Sequence, residues 1–273
     1  MLLQHRERRP VRHNQTNNPL TLINTATLPD LMKGVTARFA DNEGFSIATL
    51  NLDHAVKLKQ DPSFRAAYVR QTFVVSDGNP ITWLRRLMGE PVELIPGSEL
   101  IHPLAGLAAE MDVPVALLGA TDNTLSIAAD RLTARFPGLR VVAQIAPPMG
   151  FEPESDAAEA ILKAIADSGA GLCFLALGAP KQERLAAFAR DIVPGCGFVS
   201  IGAGLDFIAG TQTRAPVWVQ KIAMEWFWRM ASNPRRLVLR YARCFAILPG
   251  LTRSALRASE KDTTKTTSER GGT

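Results

Sequence analysis

The sequence predicts an α/β fold, a Rossmann-like and mostly parallel sheet with helices on both faces, followed by a C-terminal helical appendage. Three observations predict it. Short runs rich in β-branched and large apolar residues alternate with helix-length amphipathic stretches up to about residue 201. The runs are almost continuously apolar, as strands covered on both faces are. Glycine and polar residues collect just after each run, at the edge where the loops of a parallel sheet gather. A chain of 273 residues can hold one large α/β domain and an appendage. The boundaries read as a flexible arm over 1–18, a catalytic-size α/β domain over 19–213, amphipathic helices over 214–258 and a polar, disordered tail over 259–273.

Strands are expected at 45–51, 72–76, 92–95, 113–118, 140–145, 172–177 and 198–201. Helices are expected near 28–41, 53–70, 80–88, 98–110, 122–136, 155–168 and 180–192, several opening on the Pro, Ser, Asp or Thr that helix N-termini prefer. Beyond Pro216 the period changes. Trp218, Ile222 and Trp226 fall on one face of a helix that Asn233-Pro234 breaks. A second helix from Pro234 lines up Leu237, Tyr241, Phe245 and Leu248, carries Arg236, Arg240 and Arg243 on an adjacent face, and is expected to stop at Pro249-Gly250.

Charge is unevenly placed. Residues 1–210 hold 19 Lys/Arg against 22 Asp/Glu, a net of −3, whereas residues 211–273 hold 12 against 4, a net of +8. An anionic partner is therefore expected at the C-terminal end. Arginines interleaved with large apolar residues suit an interfacial membrane helix better than nucleic acid. The three cysteines, Cys173, Cys196 and Cys244, have no metal-ligand or CxxC spacing, and their odd number argues against a disulfide framework. The N-terminus has no apolar region of signal-peptide type, and no run of eighteen apolar residues exists, so a cytoplasmic protein without a membrane span is expected. Apolar tryptophans near the C-terminus favour association with a membrane or into a homo-oligomer.

The residues after each strand carry the chemistry. Thr49 and Asn51, Asp77-Gly78, Gly97-Ser98, Gly119-Ala120-Thr121, Pro147 to Gly150, Gly178 to Glu183 and Gly202-Ala203-Gly204 all fall at one sheet edge. Singly they are what any α/β loop favours; together they point to a binding site. Asp77 is either a general base or sugar-hydroxyl partner, or the N-cap of the helix at Pro80. His54 reads as a packing or capping residue rather than a catalyst. At Gly178-Ala-Pro-Lys-Gln-Glu183 a helix N-terminus can accept an anion and Gln182 can read a hydroxyl or base edge, while Glu183 suits the helix dipole. Gly202-Ala-Gly204 is a close-approach turn but not GxGxxG, which makes a nicotinamide-dependent oxidoreductase the weaker reading. There is no P-loop, HExxH, GxSxG or Asp-x-Asp pair, so neither a metal nor a cofactor is implied.

These residues, in this order, resemble the WecG/TagA/CpsF family of bacterial glycosyltransferases, which extend lipid-linked sugars for cell-wall and surface polysaccharides. The resemblance runs from about Asn24 to Tyr241. Its most specific part is Gly202-Ala-Gly204, Phe207 to Gly210, Arg214-Ala-Pro216-x-Trp218, Glu225-Trp226, Arg229, Pro234-x-Arg236 and Arg240-Tyr241, supported by Thr49-x-Asn51, Asp77-Gly78, Gly97-Ser98 and Gly178-x-Pro-Lys-Gln-Glu183. It implies metal-independent, inverting transfer of a hexose or N-acetylhexosamine from a UDP-sugar to a sugar on undecaprenyl diphosphate, at the cytoplasmic face of the inner membrane. Asp77 would be the catalytic base, with Thr49, Asn51 and Gln182 lining the pocket. Gly178, Lys181, Gly202, Gly204 and Arg214 complete the expected substrate-binding set, with Asp206 on the nucleotide ribose and Arg229, Arg236 and Arg240 on the diphosphate. One position departs: where the family has an arginine three residues before Gly97, this chain has Leu94, and Arg85 or Arg86 is the expected substitute. A membrane-associated binding protein using the same pocket without chemistry is the alternative from another class.

Overall fold

A computed structural model describes residues 18–212, Pro216, Trp228 and residues 234–270, with side chains in the last segment described over 237–259. Six strands form one parallel sheet in the order β2-β1-β6-β5-β3-β4: β1 (Ser46–Leu50), β2 (Phe73–Ser76), β3 (Val115–Gly119), β4 (Val141–Ile145), β5 (Leu172–Ala176) and β6 (Gly197–Ser200). Strands β1, β3 and β6 are buried throughout, whereas β4, at one edge, alternates between half-buried and exposed residues. Both the α/β class and the parallel sheet follow the sequence expectation.

The helices divide between the two faces. On one face α1 (Leu28–Ala40), α5 (Ile101–Glu110), α6 (Asp122–Arg135) and α9 (Gly204–Ala209) pack Leu31, Val35, Leu104, Leu125 and Leu205 against Ile47, Val75, Leu117, Phe174 and Val199. On the other, α7 (Asp156–Asp167) and α8 (Lys181–Ile192) cover Ala116, Leu118, Cys173, Leu175 and Phe198. Beside them α2 (Leu52–Gln60), α3 (Pro62–Val69) and α4 (Asn79–Leu87) cover Ala48, Leu50 and Val74. Because the chain leaves β1 into α2 on one face and leaves neighbouring β6 into α9 on the other, a crevice opens between their carboxyl ends.

Three boundaries differ from expectation for local reasons. The helix expected over 53–70 is two, because Asp61-Pro62 ends α2 and restarts the chain, with Asp61 Oδ1 accepting from the Ser63 and Phe64 N–H groups at 2.9 and 3.1 Å. The strand expected at 92–95 is a single bridge, Leu94 to Ser76: the Ile95 N–H donates to the Ser76 carbonyl at 2.8 Å, but the Glu93 N–H turns to the Ala26 carbonyl and the Val74 carbonyl is taken by the Asn24 and Thr25 N–H groups. The last helix, α10 (Pro234–Arg270), runs through Pro249 instead of ending there, and continues into the stretch expected to be a disordered tail. Pro249 faces solvent, while Leu251 and Ala255, 1% and 0% exposed, bury the next turns against α2 and α4, and that burial outweighs one lost main-chain hydrogen bond.

Candidate active site

Parallel register brings the first part of the site together. Leu50 pairs with Ser76, so the residues that follow, Asn51 and Asp77, lie side by side, and the Asp77 N–H donates to the Leu50 carbonyl at 2.8 Å. Asp77 Oδ2 accepts from Thr49 Oγ1 and from Asn51 Nδ2, each at 3.3 Å. Asn51 is fixed from its other end, its Oδ1 capping α2 by accepting the His54 N–H at 3.0 Å. Asp77 itself does not cap: the N-cap of α4 is Gly78, at φ 105° and with no side-chain cap bond. The capping alternative for Asp77 therefore falls, and a half-buried carboxylate is held at the strand tip, with Thr49 and Asn51 as its side-chain donors among the described residues.

Gly97 closes the site from above the β1–β6 gap. A Cβ there would lie 2.8 Å from the Ser200 carbonyl oxygen and 3.4 Å from Thr49 Cγ2, so only glycine lets this loop lie on the strand ends. On the β6 side Gln182 is 3% exposed, and its Oε1 accepts from the Gly202 N–H at 3.1 Å while its Nε2 donates to Glu183 Oε1 at 2.8 Å. Gly178 and Gly202 take φ 71° and 56° with open space where a side chain would stand. Thr49, Asn51, Asp77, Gln182, Gly178 and Gly202 thus gather at neighbouring strand ends, as expected.

Other predicted residues are occupied differently. Gly204 is a packing glycine: a Cβ would meet Ile101 Cδ1 at 2.4 Å. Lys181 Nζ donates to the Phe151 carbonyl and pairs with Glu152 at 3.5 Å, pinning the loop after β4. Asp206 accepts from Thr211 Oγ1 and Gln212 Nε2, each at 3.1 Å, and so organises the turn after α9. Arg240 Nε lies 3.0 Å from Asp53 Oδ1. Arg214 and Arg229 lie outside the described residues, as do Trp218, Ile222, Glu225 and Trp226, and the Arg236 side chain is outside them too. Arg85 is a poor substitute for the arginine absent at Leu94, because it donates to the Leu20 carbonyl at 3.1 Å and pairs with Glu90 at 2.7 Å.

Behind the strand tips lies a polar cluster in which sequence reasoning missed Asp53, Lys57 and Tyr68. Tyr68 Oη donates to the Thr49 carbonyl at 2.5 Å, and His54 Nδ1 lies 2.6 Å from the same oxygen. A carbonyl only accepts, so Nδ1 carries the hydrogen; burial, then the charge of Lys57, lowers the His54 pKa to about 4 and keeps the ring neutral. His54 is therefore a packing residue, as the sequence suggested. Asp53 lies in the first turn of α2. Burial opposes its charge, but the Lys57 hydrogen bond at 2.5 Å and the Arg240 and Lys57 charges hold its carboxyl below the usual range. Lys57 in turn donates to the Ala179 carbonyl at 3.2 Å, linking α10, α2 and the loop before α8. The i,i+4 spacing of Asp53 and Lys57 was the available signal; Tyr68 had none.

A second cleft, of about 690 Å³, lies between α5, α6 and α9 and is lined by His102, Arg131, Arg135 and Phe207. It shares Gly204 with the predicted set but none of the residues around Asp77. Among the described residues no three His, Cys, Asp or Glu side chains gather as a metal site.

The model of the glycosyl transferase WecG/TagA/CpsF family matches residues 18–261. The chain belongs to the WecG/TagA/CpsF family. It is a glycosyltransferase, and the family match spans both the sheet and the first three-quarters of α10. Curated relatives include the N-acetylglucosaminyldiphosphoundecaprenol N-acetyl-β-D-mannosaminyltransferase of Bacillus spizizenii, 26% identical over 196 residues, 71% of this chain and 74% of the relative. The Bacillus subtilis protein of the same name is 24% identical over 194 residues, 71% of this chain and 73% of that protein.

Proposed function

We propose that this WecG/TagA/CpsF protein moves a hexose or N-acetylhexosamine from a UDP-sugar to a sugar carried on undecaprenyl diphosphate, with inversion and without a metal. The observation that carries the reading is the Asp77 carboxylate, held by Thr49 and Asn51 at the mouth of the β1–β6 crevice. The relatives' name describes transfer of N-acetyl-β-D-mannosamine to N-acetylglucosaminyl-diphosphoundecaprenol, which supports a lipid-linked acceptor of that kind here. In one displacement the acceptor hydroxyl oxygen bonds to the sugar's anomeric carbon as the bond to UDP breaks. Asp77 takes the hydroxyl proton, and UDP leaves with the electron pair and its charge. The positive end of the α8 dipole, together with arginines of the C-terminal segment, is available to hold that charge.

The unit from 19 to 213 is read as the catalytic domain and 214–258 as an appendage that brings it to the inner leaflet. No helix among the described residues is long and apolar enough to cross a membrane. Residues 234–259 carry six arginines and no acidic residue, and α10 exposes Val238, Leu239, Phe245 and Leu256 on the side away from the protein core. Basic and apolar groups on one outward surface suit reversible attachment to an anionic bilayer, at about 1 kcal/mol per basic residue.

The test is incubation with a panel of UDP-sugars and a soluble lipid-diphosphate-linked sugar, read for UDP release with and without acceptor. Release that requires the acceptor supports transfer. Binding of UDP with no release under any pairing would instead favour the non-catalytic binding protein.

A further inference from the structure

Glu183 is an acid buried where the chain could have left it in water. The first turn of α8 favours a carboxylate through the helix dipole at no cost in hydration. Glu183 is instead 0% exposed, and its Oε2 has no hydrogen-bond partner among the described residues. Burying a carboxylate costs free energy, so the residue must be held there by something it does.

What it does is visible in the amide of Gln182. The Gly202 N–H can only donate, so the end of the amide that faces it must be the oxygen, at 3.1 Å. The NH2 end then needs an acceptor, and finds Glu183 Oε1 at 2.8 Å. An ionised carboxylate only accepts. It therefore rejects the flipped amide, which would set oxygen against oxygen at Glu183 and NH2 against N–H at Gly202.

We infer that Glu183 is a positioning residue: by accepting from Gln182 it fixes the direction of that amide, and through it the glycine turn at the end of β6. The geometric part stands on the hydrogen bonds alone; its consequence for nucleotide binding rests on the donor-pocket reading above. A proton on Glu183 weakens the discrimination, because a carboxyl O–H can donate to the flipped amide oxygen and only the Gly202 N–H then opposes the flip. Burial raises the Glu183 pKa from 4.5 to about 7, so this change falls within the working range. The charged and titratable groups facing it are Lys57 and Asp53 from α2 and Tyr68 from α3, while Gln71 donates to its main-chain carbonyl at 3.0 Å.

Amide hydrogen exchange at Gly202, followed by NMR on the full chain from pH 6 to 8 and corrected for intrinsic exchange, tests this directly. In the wild type the protection of Gly202 should rise about tenfold with pH, the size of one neutral hydrogen bond, here to the Gln182 amide oxygen. In Glu183→Gln it should be the same at both ends of the range, and in Gln182→Met it should be lost and flat. Wild-type protection that does not change with pH would overturn the inference, as would a pH dependence that survives in Gln182→Met; neither comparison requires Glu183→Gln to fold. A parallel UDP titration separates the two readings. If UDP does not bind the wild type, the donor-pocket reading fails, while the Gly202 amide still decides the role of Glu183.

Discussion

Asparagine at position 77 keeps the shape of aspartate and removes its basicity. Thr49 and Asn51, the donors to Oδ2 among the described residues, are each 3.3 Å away, long enough that each bond is worth no more than about 1 kcal/mol, and an asparagine with its carbonyl oxygen in that place keeps these two. The opposite rotamer would set its NH2 against Asn51 Nδ2, and the Asn51 amide cannot turn because its Oδ1 accepts the His54 N–H. The main-chain bond to Leu50 at 2.8 Å does not involve the side chain. Asp77→Asn should therefore cost under about 1 kcal/mol, a fall in melting temperature of roughly 2–4 °C. Loss of a general base slows transfer by about 10²–10⁴, which is roughly 3–5 kcal/mol of barrier. The assay is acceptor-dependent UDP release, beside a thermal melt and a UDP titration on the same preparation. A folded Asp77→Asn protein that retains turnover within tenfold of wild type would refute the assignment of Asp77 as base.

Other substitutions probe the scaffold around it. Gly97→Ala places a Cβ 2.8 Å from the Ser200 carbonyl oxygen and should cost about 1–3 kcal/mol with a marked loss of activity. Gly250→Ala, in α10 with nothing near its Cβ, should be neutral or stabilising; equal melting temperatures for the two variants would contradict the close approach at Gly97. Arg240 is about half exposed, so Arg240→Ala should lower stability by less than about 1 kcal/mol, whereas activity should drop at least tenfold if the arginine serves the diphosphate; wild-type turnover would remove it from the site. Exposed Leu239 and Leu256 replaced together by Ser should weaken sedimentation with anionic vesicles but leave the melt unchanged, and undiminished vesicle binding would dismiss α10 as the attachment surface. The pH dependence of stability has two opposed parts. His54, with its pKa depressed to about 4, contributes stability that is fully present above 6.5 and is lost as pH falls from 6.5 towards 4. Glu183, raised from 4.5 to about 7, makes the fold less stable as pH rises through that window, by on the order of 3 kcal/mol in full. Urea midpoints of Glu183→Gln should therefore gain on those of the wild type between pH 4.5 and 7, and parallel profiles would show that Glu183 does not titrate there.

The alternation of apolar runs with amphipathic stretches was enough to determine a parallel α/β sheet and to place the polar residues at its carboxyl edge. Strand identity, buried positions and the cluster of Thr49, Asn51 and Asp77 follow from local pattern, because a strand covered on both faces must be apolar until the point where it ends. Sequence-local rules failed where burial overrode them. Asn24, Thr25 and Ala26 take the Val74 carbonyl and the Glu93 N–H that a seventh strand would need, and Pro249 did not stop α10, since Leu251 and Ala255 gain more from the core than one missing N–H costs. The strand order, and hence which tips adjoin, came only from the tertiary structure: no local signal says that β6 lies beside β1. Roles were decided there as well. Gly202 and Gly204 look alike in sequence, but one opens onto space and the other packs on Ile101; Glu183 looks like a solvated first-turn acid and is wholly buried. The physical reason is the same in each case. Period and propensity are set by neighbours along the chain, whereas the cost of burying a charge, or of adding a methyl group, is set by neighbours in space.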